Sequence, residues 1–229
     1  MTSFLSDPAM DNTVSQPGIS HAHQHLCLRG WLGRRQVREN HGSDPALTQI
    51  QLKVNANTSF NKTWQDFKNG FDFSPQEDFW LGNEKIHYIT ASKAHTLVVS
   101  VVVDDAVHQL YMYDFFMANE TADFAVTYTE TFSNSSVESY LGSCWGNDSI
   151  KFSTYDLDND GVMSTNCASE FGAGWWYQAP NCSACNPNGD IDPNQTERLG
   201  IPSENFWNAA PINTSSPDLV SMALFRNLS

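Results

Sequence analysis

The strongest chemical signal in this sequence is a short acidic stretch in its second half, Asp156-Leu157-Asp158-Asn159-Asp160-Gly161. Carboxylates on alternate residues of a loop bring hard oxygen atoms together, and calcium takes about 6 to 8 oxygen ligands. An EF-hand is excluded, because the twelfth loop position, which requires a bidentate Glu, is Cys167 and no helical pattern flanks the loop. The stretch therefore predicts a calcium site of another kind, and the alternative is an acidic turn without an ion.

Upstream of the acidic stretch, aromatic residues recur at helical spacing. They predict a helix with one aromatic face, which Ser59 is expected to cap and Gly70 to end. A second short helix is predicted from Asn83 to Thr90. The aromatic positions of the first helix are Phe60, Trp64, Phe67 and Phe71.

Three strands are predicted between these helices and the acidic stretch, at His95 to Val103, Val107 to Met117 and Asp123 to Thr131. Their short connections favour an antiparallel meander, because parallel pairing needs a crossover of about a dozen residues. A further strand, Asp218 to Arg226, suits a return to the sheet. Between Ser133 and Pro217 the ordered runs are short, so this half of the chain needs something other than a core to hold it.

Composition excludes two classes of partner. The 229 residues contain 26 acids and 12 bases, a net charge of −14, so the chain cannot form the basic surface that nucleic acid requires. The longest apolar run, Leu97 to Val103, is far shorter than the ~20 residues that cross a bilayer, and no membrane insertion is expected.

Glycosylation sequons predict an extracellular, secreted glycoprotein, although the first residues show neither the charged nor the apolar region of a signal peptide. The pattern Asn-x-Ser/Thr occurs more often than expected by chance, which is the observation behind this prediction. The sequons begin at Asn57, Asn61, Asn119, Asn134, Asn147, Asn181, Asn194, Asn213 and Asn227.

The cysteines leave several pairings open. Cys182 and Cys185 form a C-x-x-C pattern, which is typical of redox sites, and together with Cys144 and Cys167 they could also hold zinc. Disulfides are favoured over both in an extracellular chain. If Cys144 pairs with Cys185 and Cys167 pairs with Cys182, only Cys27 is left single.

Six motifs follow one another along the chain: Phe60-Asn61-Lys62-Thr63-Trp64-Gln65-Asp66-Phe67, Asp78-Phe79-Trp80-Leu81-Gly82-Asn83, Phe152-Ser153-Thr154-Tyr155-Asp156, Asn166-Cys167-Ala168, Gly174-Trp175-Trp176-Tyr177, and Asn181-Cys182 with Asn188-Gly189. Their order resembles the fibrinogen C-terminal domain, found in fibrinogen chains, ficolins, tachylectins and invertebrate fibrinogen-related proteins. The resemblance implies an α+β fold with a central twisted antiparallel sheet, short helices and a loop-rich part that binds calcium and ligand. It covers about residues 47–229.

We therefore expect one domain over residues 46–229. Residues 1–45 match nothing in the family and have the composition of a disordered segment. The family's N-terminal subdomain, which carries its own disulfide, has no visible equivalent. Segments upstream of the domain often assemble family members into oligomers, and this sequence shows no such segment.

Carried over position by position, the resemblance implies a Ca²⁺ site. Asp156 would not bind the ion itself but would contact the residues that bind it. Two side chains and two backbone carbonyls would bind it directly, at Asp158, Asp160, Val162 and Ser164.

The resemblance also implies a disulfide between Cys167 and Cys182, which would tie the calcium loop to a ligand pocket. In the lectins of the family, this pocket receives the acetyl group of N-acetylated sugars. The peptide bond before Cys182 can be cis in the family. The pocket positions correspond to Phe171, Asn181, Cys182, Ser183 and Trp207, with Phe171 where Tyr is common and Ser183 where His is common.

These observations predict a secreted, calcium-dependent recognition domain that binds acetylated glycans, as innate-immunity lectins do. The alternative is a fibrinogen-like domain that binds protein or serves a structural role without recognising sugar, and the replacement of His by Ser183 favours it. We predict that the chain is not an enzyme, because the G-x-S-x-G, H-E-x-x-H and Gly-rich phosphate-loop patterns do not occur in the sequence.

Overall fold

The structure is a computed structural model that describes residues 47–54, 58–73, 77–103, 106–133, 145, 149–180, 182, 185–189 and 217–227. The predicted disorder of residues 1–45 and the predicted boundary before residue 46 lie outside this part of the chain. Within it, an antiparallel sheet, short helices and long irregular loops confirm the α+β class. No helix among these residues has the length and hydropathy of a membrane-spanning segment.

The centre of the fold is an antiparallel sheet with the strand order β2-β1-β8-β3-β4-β7. A separate pair, β5 and β6, lies outside it. The strands are β1 (Leu47–Lys53), β2 (Phe79–Trp80), β3 (His95–Val103), β4 (Ala106–Met112), β5 (Phe116–Met117), β6 (Val126–Thr127), β7 (Thr131–Ser133) and β8 (Leu219–Arg226).

The last strand occupies the middle of the sheet. β8 pairs with β1 on one side and with β3 on the other, so that Met222 lies between Gln51 and Val99. Val220, Met222 and Leu224 of β8 are fully buried and alternate with half-buried neighbours, as the sequence pattern predicted. The predicted antiparallel pairing of the first two strands is confirmed by β3 and β4, and β8 joins β3 to the first strand. The predicted third strand, Asp123 to Thr131, instead contains β6, which pairs with β5 outside this sheet, and the outer neighbour of β4 is β7, which begins only at Thr131.

Three α-helices lie in the described residues, α1 (Trp64–Asn69), α2 (Asn83–Ser92) and α3 (Cys167–Glu170). The prediction that Ser59 caps α1 is wrong. Thr63 is the cap, because its hydroxyl accepts the N–H of Asp66 while the Asp66 carboxylate accepts the N–H of Thr63. Gly70 ends the helix as predicted, with a φ of 87° that favours glycine.

Two predicted strands are shorter than their alternation indicated. The segment 107–117 divides into β4 and β5 at a turn in which Asp114 has a φ of 51°. Asp123 and Phe124, with φ of 55° and 47°, follow the 3₁₀ helix Glu120–Ala122, so that strand structure begins only at β6. Residues in the left-handed conformation interrupt the hydrogen-bond ladder between strands, and the alternation of apolar side chains does not predict where they occur.

Aromatic side chains join β2 and α1 to the loop-rich half. Trp80, Phe152 and Trp176 are buried together, with ring centroids 5.0 to 6.2 Å apart. Trp175 is also fully buried, so both tryptophans of the Gly-Trp-Trp-Tyr motif pack in the core. Gly174 of the same motif leaves no space for a side chain, because a Cβ there would collide with the ring of Phe67.

A buried ion pair lies at the end of β1. The Lys53 ammonium is 3.2 Å from Asp78 Oδ2, and both side chains are completely buried. Lys53 also donates to the carbonyl of Thr58 at 2.9 Å and lies 4.7 Å from the ring centroid of Phe60, while Asp78 Oδ1 accepts the N–H of Val54 at 2.6 Å. These bonds hold the segment before α1 against the sheet.

Candidate functional site

The acidic loop, residues 156–166, is anchored by hydrogen bonds at both ends. At its start, Asn159 donates from its backbone to Ser153 Oγ and from its side chain to the carbonyl of Phe152, each at 2.9 Å. At its end, Asn166 Nδ2 donates to the carbonyl of Thr154 at 3.3 Å. The loop is thus closed on the segment that precedes it, although it contains no regular secondary structure.

Asp160 is the most firmly held acid of the loop. It is 5% exposed; its Oδ1 accepts the N–H of Val162 at 2.6 Å, and its Oδ2 accepts the N–H of Cys167 at 2.8 Å. Each carboxylate oxygen retains a further lone pair, so these bonds leave room for a cation. Asp160 therefore fixes both the turn of the loop and its connection to Cys167.

Asp158 lies beside Asp160 and accepts its backbone N–H at 3.2 Å. The pKa of Asp158 is raised, first by partial loss of water around the carboxylate and further by the negative charge of Asp160. A bound cation would remove this repulsion. Two neighbouring carboxylates in a closed loop are hard oxygen donors, and in this respect the residues fit calcium.

The two predicted carbonyl ligands lie in the same loop. The carbonyl of Val162 accepts only a long contact from the N–H of Thr165, at 3.5 Å, and Ser164 is exposed in the turn that follows. The described residues contain no cluster of three or more His, Cys, Asp or Glu side chains that could hold a metal. A calcium ion here would therefore need backbone carbonyls and water besides the two carboxylates.

The remaining acid of the stretch, Asp156, binds the start of α1. Asp156 Oδ1 accepts the N–H of Trp64, the first residue of α1, at 2.9 Å, and the hydroxyl of Thr154 at 2.8 Å. This carboxylate satisfies a backbone donor that has no partner within the helix. Asp156 connects the acidic loop to α1.

A disulfide joins Cys167 to Cys182, with 5.5 Å between their Cα atoms, as the resemblance implied. Cys182 is buried and has a φ of 64°, and its carbonyl accepts the N–H of Gln178. Cys185 is also disulfide-bonded. Its predicted partner, Cys144, lies outside the described residues.

The structure describes two of the predicted pocket residues, Phe171 and Cys182. Phe171 is half-buried and stacks on Tyr177, with ring centroids 5.9 Å apart and an angle of 24° between the planes. Burial, and secondarily the negative charge of Asp160, raises the pKa of Tyr177 well above its usual value. The other three positions, Asn181, Ser183 and Trp207, and the cis bond expected before Cys182, lie outside the described residues.

A buried polar network behind Phe171 was not predicted. Asn186 Nδ2 donates to the carbonyl of Phe171 at 3.3 Å, and Asn188 Nδ2 donates to that of Gly174 at 2.9 Å. Gln51 Nε2 donates to Asn188 Oδ1 at 3.3 Å. The network ties the segment after the disulfide to β1. The available signal was Gln51 between the apolar residues Ile50 and Leu52, but a bulge in β1 shifts the register at this point, and alternation gives no warning of it.

The fold and the site define an α+β domain whose loop-rich half carries an acidic loop and a disulfide. Residues 39–224 match the profile of the fibrinogen beta and gamma chains, C-terminal globular domain. The chain belongs to this family.

Known relatives agree with the assignment. Fibroleukin of Bos taurus is 34% identical over 166 residues, which make up 72% of this chain and 36% of fibroleukin. The fibrinogen-like globe domain of human ANGPTL6 has a TM-score of 0.69 at 26% identity and covers 83% of this chain and 82% of its own. A lamprey fibrin D-dimer, complexed with the peptide ligand Gly-His-Arg-Pro-amide, has a TM-score of 0.67 at 22% identity, with 82% of this chain and 64% of that chain covered. The chain spans about a third of the length of fibroleukin.

Proposed function

We propose that this chain is an extracellular, non-catalytic recognition domain that binds calcium in its acidic loop and an acetylated glycan in the pocket beside Cys182. One observation carries the proposal: Asp160, one of the two acids of the calcium site, accepts the N–H of Cys167, whose sulfur is bonded to Cys182 beside the pocket. An ion that orders Asp160 would thereby order the pocket.

The described part of the pocket suits a small acetylated group. The half-buried ring of Phe171, backed by the buried ring of Tyr177, offers an apolar wall for a methyl group, and the backbone N–H of Cys182 would donate to the acetyl carbonyl. The disulfide and the sequons support an extracellular location.

Peptide binding is the second candidate function. Phe171 lacks the hydroxyl that a tyrosine would add to the pocket wall, and the similar lamprey fibrin D-dimer is complexed with a peptide ligand. The two candidates share the calcium loop and differ in what fills the pocket.

The ligand is tested with the full secreted chain on surfaces that carry N-acetylglucosamine or its non-acetylated counterpart, glucosamine. We expect retention on the acetylated surface in calcium and its loss in chelator. Equal retention on both surfaces, or none, would overturn the glycan proposal. Binding of Gly-His-Arg-Pro-amide in the same buffer would then favour the peptide.

Calcium binding is tested by thermal unfolding in calcium and in chelator. At about 100 times its dissociation constant, calcium should stabilise the fold by about 2.7 kcal/mol, which is roughly 5 to 10 °C for a domain of this size. Asp158→Asn combined with Asp160→Asn should abolish the shift. Asp72→Asn with Glu130→Gln removes two exposed acids outside the loop and should leave it unchanged. A shift that survives in the loop variant would place calcium elsewhere.

A further inference from the structure

A small cleft lies between α2 and the 3₁₀ helix Glu120–Ala122. Its volume is about 190 Å³, and its lining includes Glu84, His87 and Tyr88 of α2 and residues 119–121. Tyr88 is 66% exposed, and the centroid of its ring lies 5.4 Å from that of His87. Pockets that hold a free ligand usually measure roughly 300 to 1,000 Å³, so this cleft is too small to retain a drug-sized molecule without a tether.

The rim of the cleft carries a sequon, Asn119-Glu120-Thr121. Asn119 is exposed, its Oδ1 accepts the hydroxyl of Thr121 at 2.7 Å, and its backbone carbonyl accepts the N–H groups of Ala122 and Phe124. Among the described residues, none accepts a hydrogen bond from Asn119 Nδ2. The amide nitrogen is thus accessible on a fixed backbone.

The neighbouring residues hold this rim in place. Glu120 accepts the indole N–H of Trp64 at 2.9 Å and pairs with Lys68 at 2.6 Å, which fixes the 3₁₀ helix to α1. Asn227, another sequon residue, differs from Asn119: its Oδ1 accepts the hydroxyl of Thr96 at 2.8 Å and its Nδ2 donates to Asp114 at 3.4 Å. A glycan on Asn227 would have to displace these bonds.

We propose that Asn119 carries an N-linked glycan and that the first N-acetylglucosamine of this glycan packs in the cleft against Tyr88. The donor would be a lipid-linked oligosaccharide pyrophosphate. Asn119 Nδ2 loses a proton and bonds to the anomeric carbon of the sugar, while the bond from that carbon to the pyrophosphate oxygen breaks and the lipid pyrophosphate leaves with the electron pair. No oxidation or reduction takes place.

The chemistry of the cleft suits one sugar residue. The exposed face of Tyr88 offers an apolar surface for the C–H groups of the ring, and the Glu84 carboxylate can accept a hydroxyl or amide proton. His87 Nδ1 is 2.8 Å from the carbonyl of Met117, which can only accept a hydrogen bond, so Nε2 is the ring nitrogen left to contact the sugar. Because the sugar is tethered to the rim, it needs little intrinsic affinity to occupy the cleft.

Occupancy is tested by secreting the full chain from mammalian cells behind a leader peptide and releasing its glycans enzymatically in ¹⁸O water, which labels each formerly glycosylated Asn. We expect label at Asn119 in the wild type and in Thr121→Ser, and none in Thr121→Ala. An unlabelled Asn119 in secreted protein would overturn the proposal. Because the leader imposes secretion, that result would leave the extracellular assignment and the calcium and ligand proposals untouched.

The packing against Tyr88 is tested by a double-mutant cycle with Asn119→Gln and Tyr88→Ala. Loss of the glycan should lower the melting temperature when Tyr88 is present and should have little effect in Tyr88→Ala. The variant Tyr88→Phe keeps the ring and should behave as the wild type does. Equal shifts in all three backgrounds would overturn the packing.

Discussion

At the scale of single residues, the fold disfavours the ionised form of Asp158, although this residue is exposed. Its raised pKa means that the folded protein holds this proton more tightly than the unfolded chain does. In chelator, the contribution of Asp158 to the free energy of unfolding should therefore rise as the pH falls through its folded pKa towards the ordinary value of 3.8. Ionised Asp158 should lower the free energy of unfolding in chelator and raise it when calcium is bound.

We predict that Asp158→Asn changes the sign of its effect with calcium. In chelator at neutral pH the variant should be at least as stable as the wild type, because a repelled charge is gone, and in calcium it should be less stable, because a ligand is gone. Thermal unfolding between pH 4 and pH 8 in both buffers measures this, with Asp72→Asn as the control. The same loss of stability in both buffers would contradict the prediction.

The buried pair of Lys53 and Asp78 gives a second prediction at this scale. Lys53→Met should cost about 3 to 5 kcal/mol, because it leaves the Asp78 carboxylate buried without the ammonium. Adding Asp78→Asn should restore part of the loss, since the amide oxygen can still accept the N–H of Val54. Urea unfolding of the two variants provides the comparison. A double variant less stable than Lys53→Met alone would show that the carboxylate has a role beyond pairing with Lys53.

The chemistry of single residues was predictable only where spacing reveals it. The alternate acids of the loop stood out in the sequence. The resemblance set Asp156 apart from the two calcium ligands, but no spacing indicated that its carboxylate accepts the N–H of Trp64 in α1. Asn186 and Asn188 look like ordinary loop residues, and their role depends on carbonyl groups 14 to 15 residues earlier in the chain. Such partners are set by tertiary structure.

At the scale of elements, the junction between the acidic loop and α1 gives a further prediction. Asp156→Ala removes the acceptor of the Trp64 N–H and should cost about 1 kcal/mol, as the loss of a helix cap does. Asp156→Asn keeps an oxygen there and should cost less. Calorimetric titration with calcium should show that both Asp156 variants lose less calcium affinity than Asp158→Asn loses. A loss as large as that of Asp158→Asn would identify Asp156 as a calcium ligand.

The elements that the sequence predicts well are those with a uniform pattern. β3 begins and ends at the predicted residues, because its β-branched run has no competing signal. α1 begins later than predicted, since the capping box of Thr63 and Asp66 is stronger than a lone serine at position 59. The separation of β4 from β5 depends on a single left-handed aspartate, which a pattern of hydrophobicity does not reveal.

At the scale of the whole molecule, the disulfide between Cys167 and Cys182 is expected to hold the loop-rich half together. It closes a loop with a sequence separation of 15, and in the chain-entropy model it contributes roughly 3 kcal/mol. Replacing both cysteines by alanine should lower the free energy of unfolding by about that amount, as measured by urea unfolding. The surviving sheet should still resist hydrogen exchange. An unchanged free energy of unfolding would show that the loop is held by its hydrogen bonds alone.

The central position of β8 has a consequence for the way this protein is made. Its two partners, β1 and β3, are synthesised more than 100 residues earlier and cannot be joined until the segment Leu219–Arg226 has left the ribosome. Until then, the apolar faces of two half-sheets remain uncovered on a nascent chain. Completion of the sheet therefore waits for the synthesis of β8, and slow folding is expected for a topology of such high contact order.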